Sequence, residues 1–360
     1  MRIVIVKLSS IGDVVHTLPA AALLKRSLAN AHVAWVVERR ASAILKDSPV
    51  IDELIELDTR GWRSELNLST INEVRARLAR LRTEVGSNGA GRVDLAIDFQ
   101  GLIKSGLVAF ASRASCRIGF ETSDLREKPS KLFLTQQVET AGFNHVIDKN
   151  LALARAAISR AGATESDSAP GGYEFPIAIS RDDQRYVEAI IEKQPGAFAI
   201  INPGGGWSTK LWSPERYAEL ADWLWSHFEL ASFITYGPGE EALAQAVVAN
   251  ARSGSARPIA STLKQFVALA RRAALFVGGD TGPLHLAAAS GTPTVGLYGP
   301  TSPERNGPFD PLDVTVARDL WCRADCHRRS CWHWECMDIP VNAVKAAVLK
   351  RLEQRGARNP

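Results

Sequence analysis

The sequence lacks any hydrophobic run long enough to cross a membrane. A membrane-spanning helix needs about 18 or more consecutive apolar residues, and no such uncharged run occurs in the 360 residues. A secretion signal is also missing, because Arg2 and Lys7 enclose only a short apolar run and Asp13 follows within one turn. These absences predict a cytoplasmic protein and argue against integral membrane proteins and secreted receptors.

A strong excess of positive charge is absent too. The formal net charge at pH 7 is +4, which is mild for a protein that binds nucleic acid. Trp321, Trp332 and Trp334 could stack on bases, but no broad basic face is interleaved with them. The charge suits an enzyme with anionic ligands, and we expect no nucleic-acid partner.

Cysteine is scarce over most of the chain. Of five cysteines, Cys116 is solitary and the other four fall in a Cys-rich loop at 322–336. In a reducing compartment such a cluster indicates a metal site or free thiols before it indicates disulfides. Structural zinc or iron would be held by four thiolates, with His327 and His333 as substitute ligands. A loop of reduced thiols is the alternative, because the spacing is not that of paired CxxC motifs. The predicted ligands are Cys322, Cys326, Cys331 and Cys336.

Short apolar runs alternate with amphipathic stretches along the whole chain. This pattern is typical of parallel sheets covered by helices, and 360 residues exceed the size of a single core. We therefore predict an α/β protein with two Rossmann-like, doubly wound parallel-sheet domains facing a central cleft. A stretch rich in Ser, Pro and Gly marks the boundary. The predicted parts are domains at 1–170 and 171–340 and a C-terminal helix at 341–360.

Two glycine-rich turns in the second domain point to a phosphate ligand. In GGDTGPLHLAAA, a strand ends at Asp280 and a helix begins near Thr281, so free backbone N–H groups would favour an anion beside Gly282. In INPGGGWSTK, the glycines allow close approach and Lys210 adds a positive charge. Because both turns follow strands of one sheet, a phosphate site is favoured over two simple capped helices. Glu240 could accept hydrogen bonds from a ribose or act only as a partner of a helix dipole.

Asp13 occupies the equivalent turn of the first domain, within KLSSIGDVVHTLP. In the simplest interpretation its carboxylate caps a helix and does nothing more. Next to a bound sugar it could instead accept the proton of an attacking hydroxyl, a contribution typically of about 10² to 10⁴ in rate. The residues alone leave both interpretations open.

Four segments together resemble one enzyme family. KLSSIGDVVHTLPA, DFQGLIKSG, INPGGGWSTKLWSPERY and GGDTGPLHLAAASGTPTVGLYGPTSPERNGP are similar to motifs of the bacterial ADP-heptose:lipopolysaccharide heptosyltransferases of glycosyltransferase family 9. The resemblance runs through most of residues 1–345 and is greatest to the heptosyltransferase I branch. It implies the GT-B fold and an inverting transfer of heptose from ADP-L-glycero-D-manno-heptose to a Kdo (3-deoxy-octulosonic acid) residue of the lipid A inner core. We expect a monomer, peripheral on the cytoplasmic face of the inner membrane, that needs no cofactor for catalysis.

The resemblance also implies roles for individual residues. Asp13 matches the family's general base, Lys210 its pyrophosphate-binding lysine and Glu240 its ribose contact. His285 is similar to a family histidine near the phosphates, although a histidine packed under the loop fits the sequence nearly as well. The implied donor-binding residues are Lys210, Glu240, Asp280, Thr281, Gly282 and His285. The implied acceptor-binding residues, candidates for carboxylates or phosphates, are Arg60, Arg63 and Arg126.

The Cys-rich loop departs from the heptosyltransferase I pattern and is more similar to heptosyltransferase II and related members. Transfer onto the first heptose therefore stays open, and so does another nucleotide sugar as donor. A two-lobed ligand-binding protein would share the tandem sheets, but such a receptor needs the missing secretion signal.

Overall fold

Two compact units make up the chain, Met1–Ala178 and Ile179–Pro360. Each contains a six-stranded parallel sheet with helices packed against it. The predicted doubly wound α/β architecture is therefore confirmed. The computed structural model describes residues 1–58, 76, 93–166, 172–194, 196–322, 326 and 328–356.

The first unit is built on a sheet whose central strands are almost completely buried. Its strands are β1 (Arg2–Val6), β2 (His32–Glu38), β3 (Glu53–Leu57), β4 (Leu95–Asp98), β5 (Cys116–Phe120) and β6 (Gln136–Val138). Their spatial order is β3-β2-β1-β4-β5-β6. Strands covered on both faces are expected to be continuous apolar runs, as RIVIV of β1 is. The helices are α1 (Ile11–Val15), α2 (Leu18–Ser27), α3 (Arg39–Ser42), α4 (Ile103–Ala111) and α5 (Val146–Arg160), with a 3₁₀ helix at Lys128–Phe133.

The second unit repeats this topology. Its strands are β7 (Phe198–Asn202), β8 (Ala231–Tyr236), β9 (Ala256–Ala260), β10 (Leu275–Gly279), β11 (Thr294–Tyr298) and β12 (Val314–Ala317). The spatial order β12-β11-β10-β7-β8-β9 equals that of the first sheet when β7 is counted as the first strand. The helices are α6 (Arg181–Glu192), α7 (Pro214–Phe228), α8 (Glu241–Asn250), α9 (Leu263–Ala270), α10 (Gly282–Ala289), α11 (Pro303–Asn306) and α12 (Val341–Gly356), with 3₁₀ helices at Ser208–Lys210 and Glu335–Met337.

The strand order fixes where ligands are expected. In a doubly wound sheet the first and fourth strands are neighbours from which the chain departs in opposite directions, and ligands bind at the carboxyl ends of these two strands. In the first unit Val6 pairs with Asp98, so the turns after β1 and β4 meet. In the second unit Asn202 pairs with Gly278, so the turns after β7 and β10 meet. The motifs around Asp13 and around Asp280 both lie at such points.

Two local features differ from the sequence patterns. Residues 14–28 carry apolar side chains at the spacing of one helix, but α1 and α2 are separate, because Pro19 lies in the first turn of α2 and lacks the N–H that a continuous helix would need. The edge strands β3, β6 and β12 did not stand out as apolar runs. Each is half-buried in places and carries polar residues.

The C-terminal helix α12 packs within the second unit, a placement that the sequence did not decide. Val344 and Val348 are fully buried in the core of that unit. Lys345 Nζ donates to Glu219 at 2.7 Å, and Arg351 Nε donates to the buried Asp313 at 2.7 Å. Among the described residues, none of the helices combines the length and apolar character that crossing a membrane requires.

Candidate active site

The turn after β1 surrounds the Asp13 carboxylate with donors and cations. Asp13 lies in the first turn of α1, and its Oδ2 accepts the backbone N–H and the hydroxyl of the N-cap Ser10, both at 2.9 Å. Its Oδ1 lies 3.6 Å from Lys7 Nζ and 3.2 Å from Arg126 Nη2. One oxygen therefore completes a capping box while the other is directed at two cations. The capping interpretation and the functional one are compatible.

Electrostatics keep Asp13 ionised. Burial acts to raise the pKa of Asp13, but the charges of Lys7 and Arg126 and the hydrogen bonds from Ser10 hold that pKa well below its usual range. The two cations differ in exposure. The Lys7 side chain is 4% exposed, and its Nζ also donates to Phe99 O at 2.6 Å, whereas the Arg126 side chain is 42% exposed. Arg126 is therefore the partner that an incoming ligand can reach.

The turn after β4 holds the Asp13 turn in place through hydrogen bonds. Gln100 Oε1 accepts the N–H groups of Leu8 and Ser9 at 2.9 and 3.1 Å, and its Nε2 donates to Ser9 O at 2.6 Å. Asp98 in turn accepts the Gln100 N–H at 2.9 Å, and burial raises the pKa of Asp98 to about 6. We did not predict roles for Lys7, Asp98 and Gln100 from the sequence. For Asp98 and Gln100 the signal in the sequence was the polar DFQG segment directly after a buried strand, and Lys7 is the first residue of KLSSIGDVVHTLP.

Of the predicted acceptor residues, the structure brings Arg126 to the predicted base. Arg60 and Arg63 lie outside the described residues. Their proposed contact with the acceptor therefore stays a prediction.

In the second unit the Asp280 carboxylate is the centre of a buried network. Its Oδ2 accepts Lys210 Nζ and the Thr301 hydroxyl, both at 2.6 Å. Its Oδ1 accepts Asn306 Nδ2 at 2.8 Å and lies 3.1 Å from His285 Nε2. Lys210 and Asp280, one from each glycine-rich turn, are thus brought together with His285, which the family resemblance had named. Thr301 and Asn306 were missed, although TSPERN belongs to the quoted family motif.

The network fixes the position of Lys210. Burial acts to raise the pKa of Asp280, but its bond to His285 and the charge of Lys210 hold that pKa well below its usual range. The ammonium of Lys210 also donates to Asp280 O at 2.9 Å and lies 4.7 Å from the ring centre of Trp207. Both oxygens of Asp280 are thus occupied by protein donors, among them Lys210 and His285.

The start of α10 leaves polar groups without partners. Thr281 is the N-cap of this helix, yet its side chain makes no capping hydrogen bond. Its Oγ1 is buried and has no hydrogen-bond partner among the residues that the structure describes. The first N–H groups of a helix, here from Gly282 onward, are likewise unsatisfied within the helix and carry partial positive charge. This arrangement can accept a phosphate oxygen beside Lys210.

Glu240 lies against the glycine-rich turn after β7. Its Oε2 accepts the Gly237 N–H at 3.1 Å. A Cβ atom added at Gly204 would lie 2.4 Å from this carboxylate, so the Glu240 side chain rests directly on the turn and would have to move to admit a larger residue. The structure thus places the predicted ribose contact beside the turn that carries Lys210.

The four clustered cysteines line one cavity next to this turn. All are free thiols, and the cavity wall also includes Thr209, His333 and Trp334. The loop is attached to the Lys210 turn because Thr209 Oγ1 donates to Arg328 O at 2.7 Å. Within the described parts of the chain, no three Cys, His, Asp or Glu side chains are arranged to hold a metal ion. The structure therefore lends no support to zinc or iron at these cysteines, and His327 lies outside the described residues.

Comparison with known sequence families decides what kind of enzyme carries these two sites. The profile described as "Glycosyltransferase family 9 (heptosyltransferase)" matches residues 79–333. The chain belongs to glycosyltransferase family 9. It is therefore a glycosyltransferase, as predicted, and the alternative of a two-lobed ligand-binding protein is set aside.

Individual relatives agree with the family. Lipopolysaccharide heptosyltransferase 1 of Pseudomonas aeruginosa is 28% identical over 333 residues, covering 92% of this chain and 87% of that protein. The solved structure of the E. coli heptosyltransferase WaaC with ADP matches with a TM-score of 0.76 at 22% identity, covering 98% of this chain and 100% of that one. WaaC has also been solved with ADP-2-deoxy-2-fluoro heptose. E. coli ADP-heptose lps heptosyltransferase II matches with a TM-score of 0.74 at 20% identity, covering 99% and 100%. The predicted GT-B fold is thereby confirmed.

Proposed function

We propose that this family 9 glycosyltransferase transfers heptose from ADP-L-glycero-D-manno-heptose to a Kdo residue of the lipid A inner core. The relative named lipopolysaccharide heptosyltransferase 1 and the WaaC complexes with ADP and an ADP-heptose analogue support heptose transfer in lipopolysaccharide core biosynthesis. The observation in this chain that carries the proposal is the Thr281 hydroxyl at a helix start, which has no partner among the described residues and follows Asp280, the residue that binds Lys210.

The donor half of the site would bind the pyrophosphate of ADP-heptose. Lys210 supplies a positive charge, and Thr281 with the Gly282 N–H supplies hydrogen-bond donors. These groups neutralise the charge that develops on the β-phosphate as the bond to the sugar breaks. Asp280 and His285 hold the lysine in place, and Glu240 would accept hydrogen bonds from the ribose hydroxyls.

The acceptor half would use Asp13 as the general base. The acceptor hydroxyl oxygen attacks the anomeric carbon of heptose, its proton passes to Asp13 Oδ1, and ADP leaves with the bonding electrons. One displacement of this kind inverts the anomeric configuration. Because Arg126 covers Oδ1 in the free protein, we propose that it turns to a carboxylate of Kdo and thereby frees the base. Arg60 and Arg63 would contact further anionic groups of the acceptor.

Catalysis would need no divalent metal. A lysine and a helix N-terminus already compensate the charge of the leaving group. The cysteine cluster would have a structural role, since no step of the transfer uses a thiolate or a redox metal. We propose that the protein acts as a monomer on the cytoplasmic face of the inner membrane, where its lipid-linked acceptor lies.

Heptosyltransferase II is the second candidate. Its solved structure matches this chain nearly as well as WaaC does, and the Cys-rich loop resembles that branch. It would place the new heptose on the first heptose instead of on Kdo.

The affinity of the protein for ADP, the proposed leaving group, tests the donor half of the site directly. Calorimetric titration should give measurable affinity for ADP, weaker affinity for UDP, and a loss of about tenfold or more for ADP in Lys210→Ala. Turnover of ADP-heptose should persist in EDTA. Activity that EDTA abolishes and magnesium restores would contradict the metal-free mechanism, and an unchanged ADP affinity in Lys210→Ala would remove the lysine from the donor site.

A further inference from the structure

Helix α4 exposes a stripe of large apolar side chains in the first unit. Ile103, Leu107 and Phe110 are 38%, 48% and 55% exposed. Their spacing of four and three residues places them on one face of the helix. The opposite face, including Val108 and Ala109, is buried in the core. A surface helix normally presents polar residues to water, so this outward apolar stripe is unusual.

The 3₁₀ helix at Lys128–Phe133 widens the stripe. It packs tightly on α4, because a Cβ atom at Gly106 would lie 2.7 Å from Phe133. The rings of Phe110 and Phe133 are 6.1 Å apart, and Leu132, the neighbour of Phe133, is 76% exposed. The four exposed side chains that we call the α4 patch are Ile103, Leu107, Phe110 and Leu132.

Cations border the α4 patch. Lys128 and Lys131 are exposed in the same 3₁₀ helix as Leu132, and Arg113 is exposed directly after α4. The Arg117 guanidinium lies 5.5 Å from the ring centre of Phe110. The neighbouring carboxylate of Glu127 accepts the Ile103 N–H at 2.7 Å and so caps the helix. Apolar side chains rimmed by lysine and arginine match the interface of a bilayer that contains anionic lipids.

The α4 patch is joined to the Asp13 site by two consecutive residues. Arg126 contacts Asp13 Oδ1, and Glu127 holds the first residue of α4. Consecutive Cα atoms are about 3.8 Å apart, so a surface resting on lipid through α4 would bring the base close to that lipid. A sugar carried on a membrane lipid can be reached by a base in such a position.

We propose that the α4 patch docks this enzyme on an anionic phospholipid membrane through its acceptor-binding unit. The inference rests on the proposed function, since the proposed acceptor is a lipid-linked sugar. Each of the four side chains inserts apolar surface into the interface, and the lysines and arginines pair with lipid phosphates. Two other sets of exposed apolar side chains serve as comparisons. They are Trp321 and Trp332, 89% and 86% exposed in the second unit, and Trp225 and Leu349, each 40% exposed.

Flotation with lipid vesicles tests the docking surface without any catalytic step. Vesicles of phosphatidylethanolamine with phosphatidylglycerol should bind the parent protein more tightly than vesicles of phosphatidylcholine. The triple variant Leu107→Gln, Phe110→Gln, Leu132→Gln should lose about tenfold or more in vesicle affinity. The matched variant Trp225→Gln, Leu349→Gln should bind as the parent does. Lys128→Gln with Lys131→Gln should reduce the preference for anionic lipid and flatten the salt dependence.

Three outcomes would overturn the proposal. The parent would fail to bind anionic vesicles, the triple variant would bind as tightly as the parent, or Trp321→Gln with Trp332→Gln would abolish binding instead. Sedimentation equilibrium of the same proteins tests whether the patch instead binds a second copy of the chain. A parent protein that is a dimer and a triple variant that is a monomer would support that alternative and overturn the proposal. An assay with a water-soluble Kdo acceptor distinguishes a loss of heptose transfer from a loss of membrane docking. On this acceptor the folded triple variant should keep the turnover of the parent protein.

Discussion

The two oxygens of the Asp13 carboxylate have different partners, and this difference allows capping and catalysis to be separated. Oδ2 is bound by Ser10, whereas Oδ1 contacts the two cations Lys7 and Arg126. An asparagine at position 13 keeps an oxygen that can accept the Ser10 N–H. It cannot take up a proton from a hydroxyl. We therefore expect Asp13→Asn to fold normally and to lose catalysis.

For Asp13→Asn we predict a fall in kcat of about 10² or more with nearly unchanged affinity for ADP, because the carboxylate acts on the acceptor proton in the transition state. Steady-state kinetics with ADP titration measures both quantities. The control is Ser10→Ala, which removes one capping donor and leaves the carboxylate. Near-normal kcat in Asp13→Asn would leave the residue with a capping role alone.

Arg126 contributes a second prediction through the pKa of Asp13. The proposed mechanism needs the ionised carboxylate, and the lowered pKa of Asp13 keeps it ionised throughout the neutral range. Removing Arg126 takes away one of two stabilising charges, so the acidic limb of kcat/KM should move upward toward the ordinary aspartate range near about 4. The KM for the acceptor should also rise in Arg126→Ala.

The control for Arg126→Ala is Arg155→Ala, an arginine of similar exposure that pairs with Glu165. Arg155→Ala should change neither the acidic limb of kcat/KM nor the KM for the acceptor. If the acidic limb of Arg126→Ala stays at its parental position while the acceptor KM rises, Arg126 binds acceptor without tuning the base.

Thr281 provides the sharpest test of the phosphate site, because its buried hydroxyl has no partner within the described protein. Thr281→Val keeps the shape and removes the hydroxyl. We predict an ADP affinity about tenfold lower, in line with the loss of ~1.4 kcal/mol from one hydrogen bond to a charged group. Thr315→Val, at an exposed position of β12, is the control. Equal ADP affinity in both variants would mean that the hydroxyl does not contact the phosphates.

At the scale of elements, the Cys-rich loop supports the turn that carries Lys210. Carbonyls of Arg328 and Arg329 accept the hydroxyls of Thr209 and Ser208. Cys336 and Met337 pack under Gly299, where a Cβ atom would lie 2.5 Å from the methionine sulfur. The described part of the loop therefore contacts the frame of the donor site, in line with the structural role that we propose for it.

The structural role of this loop predicts that Cys322→Ser with Cys331→Ser lowers the melting temperature and leaves the turnover of folded protein largely intact. Thermal unfolding and kinetics on the same preparation measure this. Elemental analysis of untagged parent protein determines whether the thiols carry a metal, in which case chelation should lower the melting temperature in the same way. A double variant that remains folded, keeps its ADP affinity and loses all turnover would contradict the structural role.

Periodicity in the sequence predicted the buried elements because a strand covered on both faces must be apolar throughout. Continuous apolar runs mark β1, β2 and β10 for this reason, whereas β3, β6 and β12 at the sheet edges carry polar side chains that solvent accepts. The two candidate sites followed from glycine and acidic residues at strand ends. The residues that support these sites could not be predicted, because they are distant in the sequence from the residues they bind. Gln100 binds Ser9, 91 residues away, and Asn306 binds Asp280, 26 residues away. Periodicity reports burial along one segment and carries no information about which turns meet.

At the scale of the whole molecule, two units with the same strand order contribute different chemistry from the equivalent point of each sheet. The first unit offers an ionised carboxylate shielded by an accessible arginine. The second offers a fixed ammonium and a helix start whose Thr281 hydroxyl has no partner in the described part of the chain. Sugar transfer requires both a base for the acceptor and a binding site for the leaving group. The proposed function therefore needs both units.

The mass of the product made from ADP-heptose is the most direct test of this account. Purified protein is incubated with the donor and, in parallel, with lipid A bearing Kdo or with the same acceptor already carrying one heptose. We predict a gain of one heptose on the acceptor bearing Kdo alone, with none when Asp13→Asn replaces the parent. A gain confined to the acceptor that already carries heptose, or no gain on either, would contradict the account.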